Sequence, residues 1–491
     1  MASASSPSVS SSTSSFSSSS SSSSRGTLAL VSRQWFRLAY GTITSLDLSR
    51  RQGISASQFV STVSLAPNLT SLQVALSGTD LITDAFIALI AQVCPRLECL
   101  SLFDNLRYGG AEHHVWTSDG LDSLFRRRTQ LKDLSLACSP SVTHLPASIS
   151  QMAGLEQPQI FSRLIVNLPE EIGGLQALKA LHVNAPRLTA LPDSLSDLSN
   201  LQELSLEGCS DLTSVPEAIG QLLKLRAFHV RDCSTLRSLP DVVFSCTTQE
   251  SLDLELPNLA RLPESMSHLQ SLQRLIVDRG FRALRLPTSF TLLCALEELT
   301  LDVCLQQLPE GFETLISLRR LELKCSELTH LPSSLPQLSL LEHLAIVGCD
   351  QLVSLPDTIG QLPALRVLRL DCLENLQSLP DSIGQLQQLR SLSIICCDWL
   401  DVLPESLVHL SALERLEILY CVLLSSLPRG MHLLTSLQWL KLSDCPGICE
   451  LPNSISFCKA LECISIEACH ALTTIPEGIR HRVRMQCSSG W

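Results

Sequence analysis

Thiols are the groups in this chain with the widest chemical capacity. The sequence holds twenty cysteines in 491 residues, enough in principle for a disulfide framework, a metal centre or a nucleophile. Their spacing points elsewhere. Cys209, Cys233, Cys304, Cys349, Cys397, Cys421, Cys445 and Cys469 each close the same phrase, Leu-x-x-Leu-x-Leu-x-x-Cys or an apolar variant of it, and Cys138, Cys325 and Cys372 fall one residue early. A cysteine locked to an apolar repeat behaves as a small buried residue with weak hydrogen-bonding capacity. Without a basic neighbour it is a poor nucleophile. The pairs Cys445–Cys449 and Cys458–Cys463 lack a histidine at zinc-site spacing, so no metal is expected there. His113 and His114 lie within the insertion 108–117, where a loop tip is the simplest reading. Neither a phosphate-binding Gly-x-x-x-x-Gly-Lys-Ser/Thr loop nor a kinase signature occurs. The chain therefore reads as non-enzymatic, with no cofactor.

The element that positions these thiols is a repeat. Leu-Pro or a close variant returns every 22 to 24 residues, with prolines at 146, 169, 192, 216, 240, 263, 287, 309, 332, 356, 380, 404, 428, 452 and 476. A period of that size means stacked units. In one unit Leu204 and Leu206 alternate as a strand with one buried face. Leu212, Val215, Ile219 and Leu222 return to the same interior. Pro216 has a fixed φ and no amide donor, which suits the start of an irregular or short-helical arm. Fifteen such units at about 4.8 Å per strand predict an inner arc of about 70 Å, room for a protein-sized partner. Pro158 occupies the second leucine position of its unit, which predicts weakened strand pairing.

The phrase resembles the leucine-rich repeat, whose ninth position is Asn or Cys. The resemblance covers about residues 131–482. It implies an α/β solenoid, a horseshoe with a parallel concave sheet and an irregular or short-helical convex side. The longer form Leu-Pro-Asp-Ser-Ile-Gly-Gln-Leu at 379–386 resembles the repeats of plant intracellular immune receptors and Ras-group leucine-rich repeat proteins. That likeness implies a recognition role in immune or signalling work, here without a nucleotide-binding domain.

The N-terminal part differs. Residues 1–25 are mostly serine, with Ala, Pro, Val, Thr and a lone Phe16, and read as a disordered tail, although a serine-rich, acid-free start is also similar to an organelle transit peptide. Leu28, Val31, Trp35 and Leu38 follow at helical spacing over 26–42. This segment is either a cap over the open end of the array or, since Val31, Ser32, Trp35, Leu38 and Ala39 resemble the C-terminal helix of the F-box, an adaptor-binding element. Residues 43–130 carry longer units led by Ile43, Leu69, Leu97 and Leu131, spaced 26, 28 and 34 residues. Their Cys94-Pro95 step resembles the cysteine-containing repeats of F-box/leucine-rich-repeat proteins. The resemblance implies a substrate receptor of an SCF-type ubiquitin ligase, with a Skp-type adaptor and a cullin as partners. Residues 483–491 form a short tail.

Charge and composition narrow the partner. A formal net charge of −12 argues against nucleic acid. Regular, unpaired thiols imply a reducing compartment, cytoplasmic or nuclear, and no stretch reaches the ~18–20 apolar residues of a membrane span. Between 201 and 304 the exposed strand positions are net acidic. Further on they hold Val347, Val367, Ile395, Leu419, Tyr420 and Trp439, with Arg415 beside Trp439. Exposed apolar and aromatic residues are favoured anchors, so this set is the expected partner-binding surface.

Overall fold

The computed structural model describes residues 43–48, 56–64, 66–75, 84–103, 116–127, 130–137, 142–259, 262–281, 286–481 and 483–486. Among these residues the framework is a single sheet of nineteen strands. The first ten are β1 (Ser45–Leu48), β2 (Ser71–Ala75), β3 (Cys99–Phe103), β4 (Asp133–Ala137), β5 (Gln157–Phe161), β6 (Ala180–Asn184), β7 (Glu203–Glu207), β8 (Ala227–Arg231), β9 (Ser251–Glu255) and β10 (Arg274–Phe281). They continue as β11 (Glu298–Val303), β12 (Arg320–Leu323), β13 (His343–Val347), β14 (Val367–Asp371), β15 (Ser391–Ile395), β16 (Arg415–Leu419), β17 (Trp439–Ser443), β18 (Cys463–Glu467) and β19 (Val483–Gln486). Each strand pairs in parallel with its sequence neighbours. The result is the expected α/β solenoid.

The return arms are of two kinds. Between β1 and β4 they contain α-helices: α1 (Ala56–Val63), α2 (Asp84–Val93) and α3 (Ser118–Arg127). Phe59 of α1 stacks obliquely on Phe86 of α2, centroids 4.8 Å apart. From β4 onward the arms are short 3-10 turns, and most are set up by the repeated proline. Pro216 and Pro380 are extended, at φ −68° and −69°. Their carbonyls accept the N–H of Ile219 at 3.1 Å and Ile383 at 3.0 Å. A residue with fixed φ and no donor suits that corner, because its N–H would have no partner there.

Alternation within each strand fixes the inside. Leu204 and Leu206 are buried, as are Leu201, Leu212, Val215, Ile219 and Leu222 of the same unit. Since a unit covers only its neighbours, the core is one continuous column of leucine layers rather than a globular centre. The unit with Pro158 departs least where it was expected to depart most. β5 pairs with β4 over five residues, Pro158 opposite Leu134. Only its pairing with β6 is shortened, to Gln159–Phe161.

Repeat length has a conformational cause. Gly208, Asp232, Gly348, Cys372, Cys396, Tyr420, Asp444 and Ala468 have left-handed backbones, φ +50° to +62°. Each lies directly after the strand of a proline-to-proline interval of 24 residues, and the four 23-residue intervals, ending at Pro169, Pro192, Pro263 and Pro332, have no left-handed residue at that corner among the described residues, the left-handed Gly311 lying in the convex arm instead. The inserted residue donates its N–H to the last strand carbonyl of the next repeat, as from Gly348 to Asp371 at 2.8 Å and from Tyr420 to Ser443 at 2.8 Å. Its positive φ turns the following residue inward. In these eight units the extra residue is thus accommodated as a left-handed corner after the strand.

Candidate protein-interaction surface

The thiol ladder is a product of that corner. Cys209, Cys233, Cys349, Cys397, Cys421 and Cys445 follow the left-handed residue and are fully buried. Each thiol faces a strand carbonyl of the preceding repeat, for example Cys349 to Leu323 at 3.7 Å, Cys421 to Ile394 at 3.8 Å and Cys445 to Ile418 at 3.6 Å. Cys469, near the end of the array, is half-buried against the core. Cys325 lies in a 23-residue unit without the corner, yet reaches the same layer, buried and 3.6 Å from the Leu301 carbonyl. Burial pushes the Cys325 thiol up to about 12 and the Cys349 thiol to about 11. Protonated and enclosed, these groups serve packing.

Two cysteines depart from the expected ladder. Cys304 is half-buried and Val303 takes the inward position, because the interval from Pro287 to Pro309 is only 22 residues and no left-handed residue precedes Cys304. Cys372 is itself the left-handed residue and is exposed, while Leu373 fills the layer. Cys138 lies outside the described residues, as do Leu28, Val31, Trp35 and Leu38.

The expected partner-binding residues fall into three columns. Val367, Arg415 and Trp439 share the first strand column, Val347, Ile395 and Leu419 the last, and Tyr420 stands in the left-handed column beyond it. Arg415 pairs with Trp439 and Ile395 with Leu419 in register. Four residues of strand, about 13 Å, separate the outer columns. The middle column between them holds Ala345, Arg369, Ser393, Glu417 and Lys441. The set is thus two apolar flanks about a polar centre.

A denser group stands beyond the last column, on the turns that leave the strands. Trp399 is 59% exposed, Tyr420 51%, and Val402, Val422 and Leu423 49% each. All belong to two consecutive repeats, and Trp399 and Leu423 occupy equivalent places in them. The sequence signal was available: Val422 and Leu423 stand beside buried Leu424 where other units place polar residues, as at Asp398 and Ser210. It was masked by the assumption that recognition belongs to the strand face alone.

The opposite edge of the sheet is polar and internally paired. Ahead of the strands, Lys179 meets Glu156 at 2.6 Å, Arg226 meets Glu250 at 3.0 Å, Arg319 and Arg366 meet Glu342 at 3.0 and 3.2 Å, and Arg390 meets Glu414 at 2.7 Å. The acidic stretch is likewise offset: Arg231 pairs with the buried carboxylate of Asp253, and Arg274 with Glu298 at 3.8 Å. Between Asp253 and Glu203, His229 approaches each at 4.0 Å, and burial holds its imidazole below the ordinary histidine range.

With this geometry the fold can be placed. It is that of a leucine-rich repeat protein, and residues 306–425 match the leucine-rich repeat region family. A leucine-rich repeat protein of Leptospira interrogans is 25% identical, with a TM-score of 0.59 over 84% of this chain and 93% of its own. Toll in the Toll–Spatzle complex of Drosophila is similar in fold, 15% identical with a TM-score of 0.53, over 91% of this chain and 62% of that one. Among characterised sequences, the human volume-regulated anion channel subunit LRRC8B is 31% identical over 99 residues. That match takes up 20% of this chain and 12% of the channel subunit. No helix among the described residues is long and apolar enough to cross a membrane.

Proposed function

We propose that this chain is a recognition scaffold that docks a protein partner on the C-terminal edge of its sheet, over repeats 396–443. The observation that carries this reading is the group of Trp399, Val402, Tyr420, Val422 and Leu423, about half exposed on consecutive turns. Large apolar groups gathered on one exposed face favour an interface, and Trp and Tyr contribute most per residue when a partner desolvates them. The other edge, already satisfied by its own ion pairs, has less to gain from a partner, since exposed pairs are worth little and cost desolvation when covered.

The test is affinity capture with the full chain against Trp399→Ala, Leu423→Ala and Trp439→Ala. We expect a protein recovered by the parent to be lost from the Trp399 and Leu423 variants, each losing about 10-fold or more in affinity, with thermal midpoints unchanged. Capture that is equal across all variants would place the interface elsewhere. Two finer roles fit such a scaffold. The substrate-receptor role rests on Val31, Ser32, Trp35, Leu38 and Ala39, and is read by recovery of a Skp-type adaptor and cullin with the full chain but not after deletion of 26–42. The immune or signalling role rests on the Leu-Pro-x-Ser-Ile-Gly form and requires no adaptor.

A further inference from the structure

The left-handed column carries Gly, Asp, Tyr or Ala in most 24-residue units, but thiols in two successive ones, at Cys372 and Cys396. The last register pair of β14 and β15 is Asp371 with Ile395. The N–H of Cys372 then extends that pairing to the Ile395 carbonyl at 2.8 Å. The two cysteines therefore stand one strand spacing apart, about 4.8 Å, and face the same way. Side chains in this column leave the core: a Cβ placed on Gly348, one repeat earlier, meets no atom within 4 Å. Cys372 is exposed and Cys396 half-buried, in contrast to the enclosed ladder thiols.

A carboxylate completes the group. Asp371 is 7% exposed. One of its oxygens accepts from Arg369, and the other accepts the Cys372 thiol at 3.3 Å. The ligand atoms of Asp371, Cys372 and Cys396 all lie within 4.8 Å of one another. We propose that Asp371, Cys372 and Cys396 bind one thiophilic divalent cation of the zinc type, with the fourth, solvent-facing position open to water or to a partner's side chain.

Geometry and charge agree with this assignment. Tetrahedral Zn–S bonds of about 2.3 Å and Zn–O bonds of about 2.1 Å place ligand atoms about 3.6–3.8 Å apart. The group need contract by only about 1 Å, within reach of the side-chain torsions. Two thiolates and a carboxylate against a dication and the Arg369 guanidinium sum to zero charge. Arg369 also fixes the carboxylate, as outer-shell partners of metal ligands do.

The full chain, reduced and desalted without oxygen, is titrated with Zn2+ and alkylated under mild conditions, and the labelled cysteines are mapped by peptide. We expect one equivalent of Zn2+ to slow labelling of Cys372 and Cys396 together by about 10-fold or more, leaving the exposed Cys294 and Cys449 unchanged. Cys372→Ser should abolish protection of Cys396, and Asp371→Asn should weaken Zn2+ binding by about 10-fold or more. Co2+ gives a second readout, a thiolate-to-cobalt absorption band present in the parent and absent in Cys372→Ser. Zn2+ that protects neither thiol, or protection of Cys396 that survives Cys372→Ser, would overturn the site.

Discussion

At the level of single residues, one amino-acid type performs two tasks, and one residue of backbone separates them. Cys397 and Cys396 are neighbours in sequence, yet the first is sealed in the core and the second stands on the sheet edge. The sequence located the ladder through its phrase of leucines, but it assigned Cys372 to the interior because position alone does not report φ. The buried set has a consequence for pH. The thiols of Cys325 and Cys349 titrate near 12 and 11 when folded, against an ordinary value of about 8.5. Folded-state values raised in this way contribute stability that is complete below about pH 8.5 and is lost as pH rises toward the folded values, since the unfolded chain sheds these protons first. Urea unfolding at about pH 8 and about pH 10.5 should show the loss, each such thiol costing about 1.4 kcal/mol per pH unit across its window. Cys325→Ala together with Cys349→Ala should reduce the slope without abolishing it, since neighbouring thiols and burial also raise Cys233, Cys421 and Cys445, and an equal slope in that variant would assign the effect to other groups.

The repeat unit shows why its two glycine positions differ. Gly360 and Gly384 sit on the convex arms, where an added Cβ would collide with the backbone oxygens of Ser382 and Ser406 in the next arm. Close stacking of the arms requires glycine there. Gly348 meets open space but has φ +60°. Gly360→Ala should therefore destabilise by about 1–3 kcal/mol through overpacking. Gly348→Ala should cost about 1–2 kcal/mol from left-handed strain alone, a strain the fold already accepts at Ala468. The two are told apart by hydrogen exchange: faster exchange at Ile383 and its neighbours is expected for the first and not for the second. Much of the unit was legible beforehand, because strand alternation, the proline corner and the leucine layers are local patterns. The 24-residue interval was legible as a count, whereas the left-handed corner that takes up its extra residue in eight units required coordinates.

Over the whole molecule, stability comes from contact between successive units, and the array has no central core on which all residues depend. Removing residues 357–380, one complete 24-residue unit, should leave a soluble, cooperatively unfolding solenoid with a smaller denaturant slope. Removing 369–380 alone should abolish cooperative unfolding, because half a unit leaves leucine layers with nothing to cover them. Equal behaviour of the two deletions would contradict nearest-neighbour stacking. The sequence by itself determined the architecture, since a period of leucines and prolines can bury its apolar face only by stacking, and each unit states that requirement again. Of the expected surface, it placed Tyr420 and Trp439 among the exposed residues, whereas Val347, Val367, Ile395 and Leu419 are half-buried. Only the tertiary structure decided how those residues are grouped, because residues 24 apart in the chain become neighbours and residues four apart in a strand are separated by about 13 Å. That geometry divides Trp439 from Leu419, assembles Trp399 with Leu423, and brings Cys372 beside Cys396.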